Sequence, residues 1–379
     1  MKSFGLWYQK VDDNDYEKSK VRNNFTALDV KAGENDSGLK SPFSLHVNFW
    51  SLEDIKNSDN VNVPYLDIGL KINDYSAIKE VVFYCPFVLD KNGIIDLSDK
   101  LANKNNASII FNADCEIQTK DSYTIVEVDD DEKLLIFPLK QVVGEVFSIE
   151  PVQNGTGTQL IFRFEQFRKY VEGGVDKLKE LSTIYIRFRI IVPGLKKLIY
   201  FDSEPLNKSF ESAFSGTRII DFKVNERRNI EENVRAEIIV KKQEWVSFAN
   251  IHFLIMVPSS YDLTSFYKDP MTCRELEEKL WDDYLGTTIN FNKGHVLAYH
   301  WRGKQVDDFS CLVKVNYSRA KKKTIFVYAL SVISLGILSS LIVALLQMKW
   351  KSGISLTIAG SVAFAIILGL ALYLGRSQD

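Results

Sequence analysis

The sequence is poor in the residues that signpost chemistry. Its four cysteines, Cys85, Cys115, Cys273 and Cys311, are scattered, with no CxxC pair. That excludes a disulfide framework or a cysteine zinc site and fits a reducing compartment. There are four histidines, His46, His252, His295 and His300. His295 and His300 lie five apart on an expected strand, so their side chains point to opposite faces and do not share a metal. No GxSxG elbow, GxxxxGK[ST] loop, GxGxxG turn or HExxH helix occurs. The glycine-rich piece 154–157 lacks the lysine and the following helix of a phosphate cradle. These absences predict a non-enzyme with no cofactor and no metal. The formal net charge is only −2, which gives no electrostatic case for direct nucleic-acid binding. The first ten residues have no sustained apolar core, so no secretory signal or lipidation motif is expected there.

Long apolar runs are concentrated at the C-terminal end. Residues 324–348 and 353–375 contain no Asp, Glu, Lys, Arg or His, and each exceeds the ~20 residues a helix needs to cross hydrocarbon. The connector 349–352 is short enough to force the second helix back beside the first. Arg319, Lys321, Lys322 and Lys323 precede the first run and Arg376 follows the second, whereas the connector holds Lys349 and Lys351. This bias places both chain ends in the cytoplasm, with Trp350 at the far interface. The expectation is a two-helix hairpin in the cell inner (plasma) membrane, with lipid as a partner.

The remainder reads as mainly β, antiparallel and β-sandwich-like, with few helices. Residues 1–40 are a polar lead-in with one early strand. Segments 41–152 and 153–318 read as two β-rich cytosolic domains, and 319–379 as the hairpin. Alternation of apolar and polar residues predicts strands at 43–50, 66–72, 78–87, 183–192 and 246–257. Others are expected at 108–111, 115–118, 123–128 and 134–138. A helix is predicted near 272–285. There Thr272 and Glu275 have capping-box spacing, Leu276 and Leu280 share a stripe, and Gly286 closes the end. The acidic run from Asp129 to Glu132 lacks the glycine and terminal glutamate of a calcium loop and reads as a solvated turn.

Two constellations are candidates for ligand binding. Arg163, Arg187 and Arg189 with Tyr185 combine guanidinium forks and an aromatic ring, a combination that can clamp a phosphate and stack a base. The competing reading is a solvated sheet face with cross-strand charge pairs such as Glu165. His300, Trp301 and Arg302 form the second set, in a hairpin that feeds into the apolar runs. The competing reading there is a Trp packed in the core. In those runs Gly336, Ser340 and Ala344 recur at four-residue spacing, as do Ser361, Ala365 and Gly369, and Ala359 with Ala363. Such small-residue ridges support helix packing and a homo-oligomer.

Taken as architecture, a β-rich cytosolic module with a C-terminal membrane hairpin looks like the membrane effectors of bacterial anti-phage systems. The likeness extends to no motif residue by residue. It implies an antiviral-defence sensor and effector. The cytosolic part would bind a nucleotide signal or a protein partner, and the hairpins would oligomerise to perturb the membrane. The alternative is a membrane-anchored binding or scaffold protein whose anchor is passive.

Overall fold

The computed structural model describes residues 2–11, 41–52, 64–120, 123–129, 132–139, 144–153, 155–172, 181–191, 195, 199–203, 215–265, 270–277, 279–286, 295–318 and 322–347, and positions 360–362, 364, 365 and 369. The chain divides into two compact units, Met1–Phe201 with Ile219–Val315, and Asp202–Arg218 with Asn316–Asp379.

The described residues form three β-sheets. A five-stranded sheet runs in the order β14 (Glu244–Trp245), β1 (Gly5–Lys10), β4 (Ile78–Cys85), β10 (Thr158–Arg163) and β9 (Phe147–Pro151). A ten-stranded sheet runs β17 (Thr272–Glu275), β18 (Val296–Val306), β15 (Phe248–Pro258), β2 (Phe43–Trp50), β3 (Tyr65–Ile72), β11 (Ile184–Ile190), β8 (Glu132–Ile136), β7 (Tyr123–Val128) and β6 (Cys115–Lys120). Strand β5 (Ile94–Asp96) pairs with β11 off this path. A third sheet has the order β12 (Tyr200–Ser203), β13 (Ser215–Val224), β19 (Phe309–Ser318) and β16 (Asp262–Ser265). Pairing is antiparallel for the most part, but β2 with β15 and β8 with β11 are parallel. The chain is therefore β-rich as expected, and mixed rather than purely antiparallel.

Aromatic rings fill the space between sheets. Phe83 on β4 and Phe162 on β10 meet Phe188 on β11 at centroid distances of 5.6 and 6.2 Å. Phe222 on β13 stacks on Phe253 of β15 at 4.8 Å. This apolar face of the ten-stranded sheet uses one parity of each strand, with Leu45, Val47 and Phe49 on β2 and Ile68 and Leu70 on β3 fully buried. On β15 the pairing register shifts between Phe248 and Asn250. The extra residue, Ala249, lets both Phe248 and Ile251 face the core and brings Asn250, His252 and Leu254 to the opposite side.

Helices cover one end of that opposite side. They are α1 (Ser98–Leu101), α2 (Lys104–Phe111) and α5 (Leu280–Leu285); α3 (Phe164–Glu172) and α4 (Glu232–Val240) lie elsewhere in the unit. The stretch expected as a strand at 108–111 is the end of α2. Asn103 caps it, its side-chain oxygen accepting from the N–H groups of Asn105 and Asn106 at 2.9 and 3.3 Å. The helix expected over 272–285 is shorter than its cap signal implied. Thr272–Glu275 pairs with β18 as strand β17, and only Leu280–Leu285 is helical, closed by Gly286 at φ +68°. Trp281 and Tyr284 of α5 pack with Trp50, Met256, Val296 and Ala298 beneath it.

The membrane assignment needs correction. Among the described residues no helix is long and apolar enough to cross a membrane, so a two-helix inner-membrane protein is not supported. The first apolar run lies within helix α6 (Lys322–Gln347). Of the second run only positions 360–362, 364, 365 and 369 are described, so the second helix expected at 353–375 lies largely outside the described residues. Arg319, Lys321 and Trp350 lie outside the described residues, and Lys322 and Lys323 open α6. An apolar run of sufficient length is necessary for a membrane span without being sufficient.

Candidate functional site

The side of the ten-stranded sheet that faces away from the aromatic core is polar across its middle. Register places Arg302, His252, His46, Gly69 and Arg187 opposite one another on β18, β15, β2, β3 and β11 in turn. Four inter-strand steps make this row about 19 Å long. The adjacent row holds Leu254, Asn48, Asp67 and Arg189, with His300 at its β18 end.

At the β3–β11 end the polar groups are buried and mutually satisfied. Asp67, with no exposed surface, accepts from Arg189 Nε at 2.6 Å and Nη2 at 3.0 Å. It accepts also from Trp50 Nε1 at 2.9 Å and the Tyr284 hydroxyl at 2.8 Å. Arg189 Nη1 donates to the carbonyl of Leu285 at 3.0 Å, and its guanidinium lies 4.8 Å from the Tyr65 ring. Arg187 is equally buried, and among the described residues no carboxylate is in direct contact with it. Its Nε donates to the Tyr284 hydroxyl and its Nη1 to the Tyr185 hydroxyl, both at 2.8 Å. With the Asn48 amide oriented oxygen-first, Arg187 Nη2 donates there at 3.0 Å. One carboxylate thus serves two buried guanidiniums, and the surplus positive charge faces along the row toward His46.

Tyr185 transmits that polarity. It sits one position along β11 from the row, opposite Lys71, yet its hydroxyl reaches His46 Nδ1 at 3.2 Å. It does so by crossing Gly69, where an added Cβ would run into the hydroxyl. Guanidinium only donates, so the Tyr185 oxygen accepts from Arg187 and links it through this contact to His46 Nδ1.

Toward β18 the row becomes half-buried. His252 Nδ1 and His300 Nε2 lie 3.0 Å apart with their rings 12° from parallel, and His46 stands edge-on to His252 at 5.2 Å between centroids. Arg302 donates to Asn250 Oδ1 at 2.6 and 3.2 Å. Burial, followed by His252, Arg187, Lys71 and His300, holds the His46 imidazole well below the ordinary histidine range. Burial, His300 and Arg302 bring His252 down to about 4, and burial with Arg302 and Arg274 lowers His300. Lys71 is ion-paired with Glu132. Among the described residues, the neighbouring charges named here have the sign of the histidines' own protonated form. No group of three or more metal-ligating side chains suited to an ion occurs among the described residues.

The two constellations expected from sequence are divided differently in space. Tyr185, Arg187 and Arg189 share this face with His300 and Arg302. Arg163 is on the other sheet, paired with Glu150 at 3.0 Å at the rim of an open hollow of about 550 Å³. Trp301 points to the opposite side of β18, fully buried at 6.0 Å from Phe253. His46, His252, Asp67 and Tyr284 complete the polar face; sequence reading passed over them as site residues. The usable signal was the polar parity of the strands at 43–50 and 66–72, which matches that of 183–192.

Of the small residues expected to pack helices, the Ser340 hydroxyl donates to the Gly336 carbonyl at 3.0 Å within α6. Ser361, Ala365 and Gly369 are exposed, and Ala344, Ala359 and Ala363 fall outside the side chains described. No protein-family model matches the chain, and no curated protein matches it.

Proposed function

We propose that this chain is a non-enzymatic ligand-sensing module whose polar sheet face receives a small oxyanion, in the first instance the phosphate of a phosphorylated metabolite. The observation that carries the reading is the row from Arg302 through His252 and His46 to Arg187. Its donors project from paired strands, and Asp67, the carboxylate the described residues place at its buried end, is already engaged with Arg189. His46 is held in place by the Arg187–Tyr185 chain, and the Arg302 guanidinium lies in the same row. Hydrogen bonds to a charged partner stabilise by about 1.5–3 kcal/mol each. Nucleotide signals, expected from the sequence, belong to the phosphorylated class this row suits. The sensing half of the sensor–effector reading is what these residues support. The membrane-perturbing half depended on two spans and is not carried forward.

Calorimetric titration of the full chain with inorganic phosphate tests the reading. Saturable binding is expected, weakened at least about tenfold in the double variant His46→Gln, Arg302→Gln, which corresponds to about 1.4 kcal/mol. Thermal melting of the variant checks that it is folded. Equal binding by both proteins, or no saturable binding by the wild type, overturns the reading.

A further inference from the structure

Between β17 and β18 the chain carries α5, which lies over the buried end of the polar face. Pairing with β18 ends near Leu276, whose N–H donates to the Val296 carbonyl at 2.9 Å. The residues on either side of α5 are both left-handed, Lys279 at φ +64° and Gly286 at φ +68°. Glycine adopts that conformation freely, whereas Lys279 carries a Cβ and is strained in it. Lys279 also gives the helix no side-chain cap. Six residues are too few to hold a helix by propensity alone, so α5 is kept in place by what it touches.

Those contacts are polar in large part. The Tyr284 hydroxyl donates to Asp67 and accepts from Arg187, each at 2.8 Å. Its ring lies 5.5 and 5.2 Å from the guanidiniums of Arg187 and Arg189. The Leu285 carbonyl accepts from Arg189 Nη1 at 3.0 Å. On the outer side, Asp283 accepts from Lys100 of α1 at 3.1 Å and from Asn106 of α2 at 2.6 Å. Trp281 supplies an apolar anchor, its ring 5.2 Å from that of Trp50. Water can replace each of the polar partners, so the groups beneath α5 lose little when it lifts. Asp67 and Arg189 keep each other in that case. A cover over a purely apolar core has no such substitute, because its removal exposes hydrocarbon to water.

We infer that residues 279–286 form a strap, pinned by Tyr284, that opens as a unit while the sheet beneath it stays folded. Opening uncovers Asp67, Arg187 and Arg189, and with them the buried end of the polar row. Arg187 and Tyr185 join that end to His46 through contacts of 2.8 and 3.2 Å. The strap is a property of the ligand-free chain and does not rest on the anion reading.

Native-state hydrogen exchange on the full chain, across low denaturant concentrations, tests the strap. The amides of Tyr284, Leu285 and Gly286 should share one opening equilibrium, with a denaturant slope above zero and below that of β2 and β3. Their exchange should be at least about a hundredfold faster than in those central strands. Tyr284→Phe keeps the ring, removes the pin and should quicken all three amides together by about tenfold or more. Asp283→Ala cuts the outer ties from an exposed position and should quicken them several-fold. One slope common to α5, β2 and β3 overturns the inference, as do three amides that exchange separately without denaturant dependence. Unchanged exchange in both variants overturns it too. The wild-type slopes with Asp283→Ala decide the matter if Tyr284→Phe fails to fold.

Discussion

At Asp67 one carboxylate gathers donors from Trp50, Arg189 and Tyr284, and the guanidinium of Arg187 lies one hydroxyl further on. The pair with Arg189 is almost wholly removed from water. Removing only the anion therefore strands two buried cations, which is far more costly than losing the pair as a unit. Asp67→Ala should destabilise the fold by about 3–5 kcal/mol in urea-induced unfolding. A change under ~1 kcal/mol would mean the guanidiniums find other partners. Gly69 is constrained by the Tyr185 hydroxyl that crosses it. Gly69→Ala should cost about 1–3 kcal/mol and separate Tyr185 from His46. His46, His252 and His300 make stability depend on pH. Their folded-state affinities for protons lie below the unfolded value near ~6.5, so the unfolded chain binds more protons as pH drops. Stability is complete above that value and declines as pH falls from ~6.5 toward the value of about 4 held by His252. Solvent screening limits the share of His252 to on the order of 1–2 kcal/mol. Urea midpoints at pH 7 and pH 4.5 would reveal it, and His252→Gln should flatten the difference.

At the scale of elements, α5 positions the site and was the element the sequence concealed best. Thr272 with Glu275 has the spacing of a capping box, but Thr272–Glu275 pairs along β18 in register. Cross-strand bonding there outweighs a local cap, and the helix begins only at Leu280. Its closing signal was legible: Gly286 adopts φ +68°, a conformation costly for residues with a Cβ. Gly286→Ala should destabilise by about 1 kcal/mol, read from thermal or chemical melting. Strands were easiest to read where alternation was clean, as in Phe43–Trp50. The same alternation misled on β11. A face of Tyr185, Arg187 and Arg189 has the composition of a solvated one, and it is buried because Asp67, far away in sequence, supplies the counter-charge. Tyr284 then covers them. No local pattern encodes that partnership. The row from Arg302 to Arg187 is likewise a product of register across five strands, including the shift at Ala249, and single-strand reading has no access to it.

For the whole molecule, the early strand proves to be a core element. β1 lies between β14 and β4, with Phe4, Leu6 and Trp7 at most 2% exposed. Burial of three such side chains contributes about 5–9 kcal/mol, comparable with the entire stability of an ordinary domain. Deleting residues 2–10 should therefore abolish cooperative unfolding, as followed by near-UV circular dichroism. The polar face is assembled from strands spread between residues 43 and 306, so its function should be lost with global unfolding and not before it. The central claim, that this face binds an oxyanion through its imidazoles, is tested most directly by the imidazole nitrogen resonances. His46, His252 and His300 lie on the face, whereas His295 is exposed, its Nδ1 in contact with a Glu275 carboxylate oxygen. On addition of phosphate, the first three should shift along one shared saturation curve while His295 stays fixed. Movement of His295 alone, or of none of the four, would contradict the account.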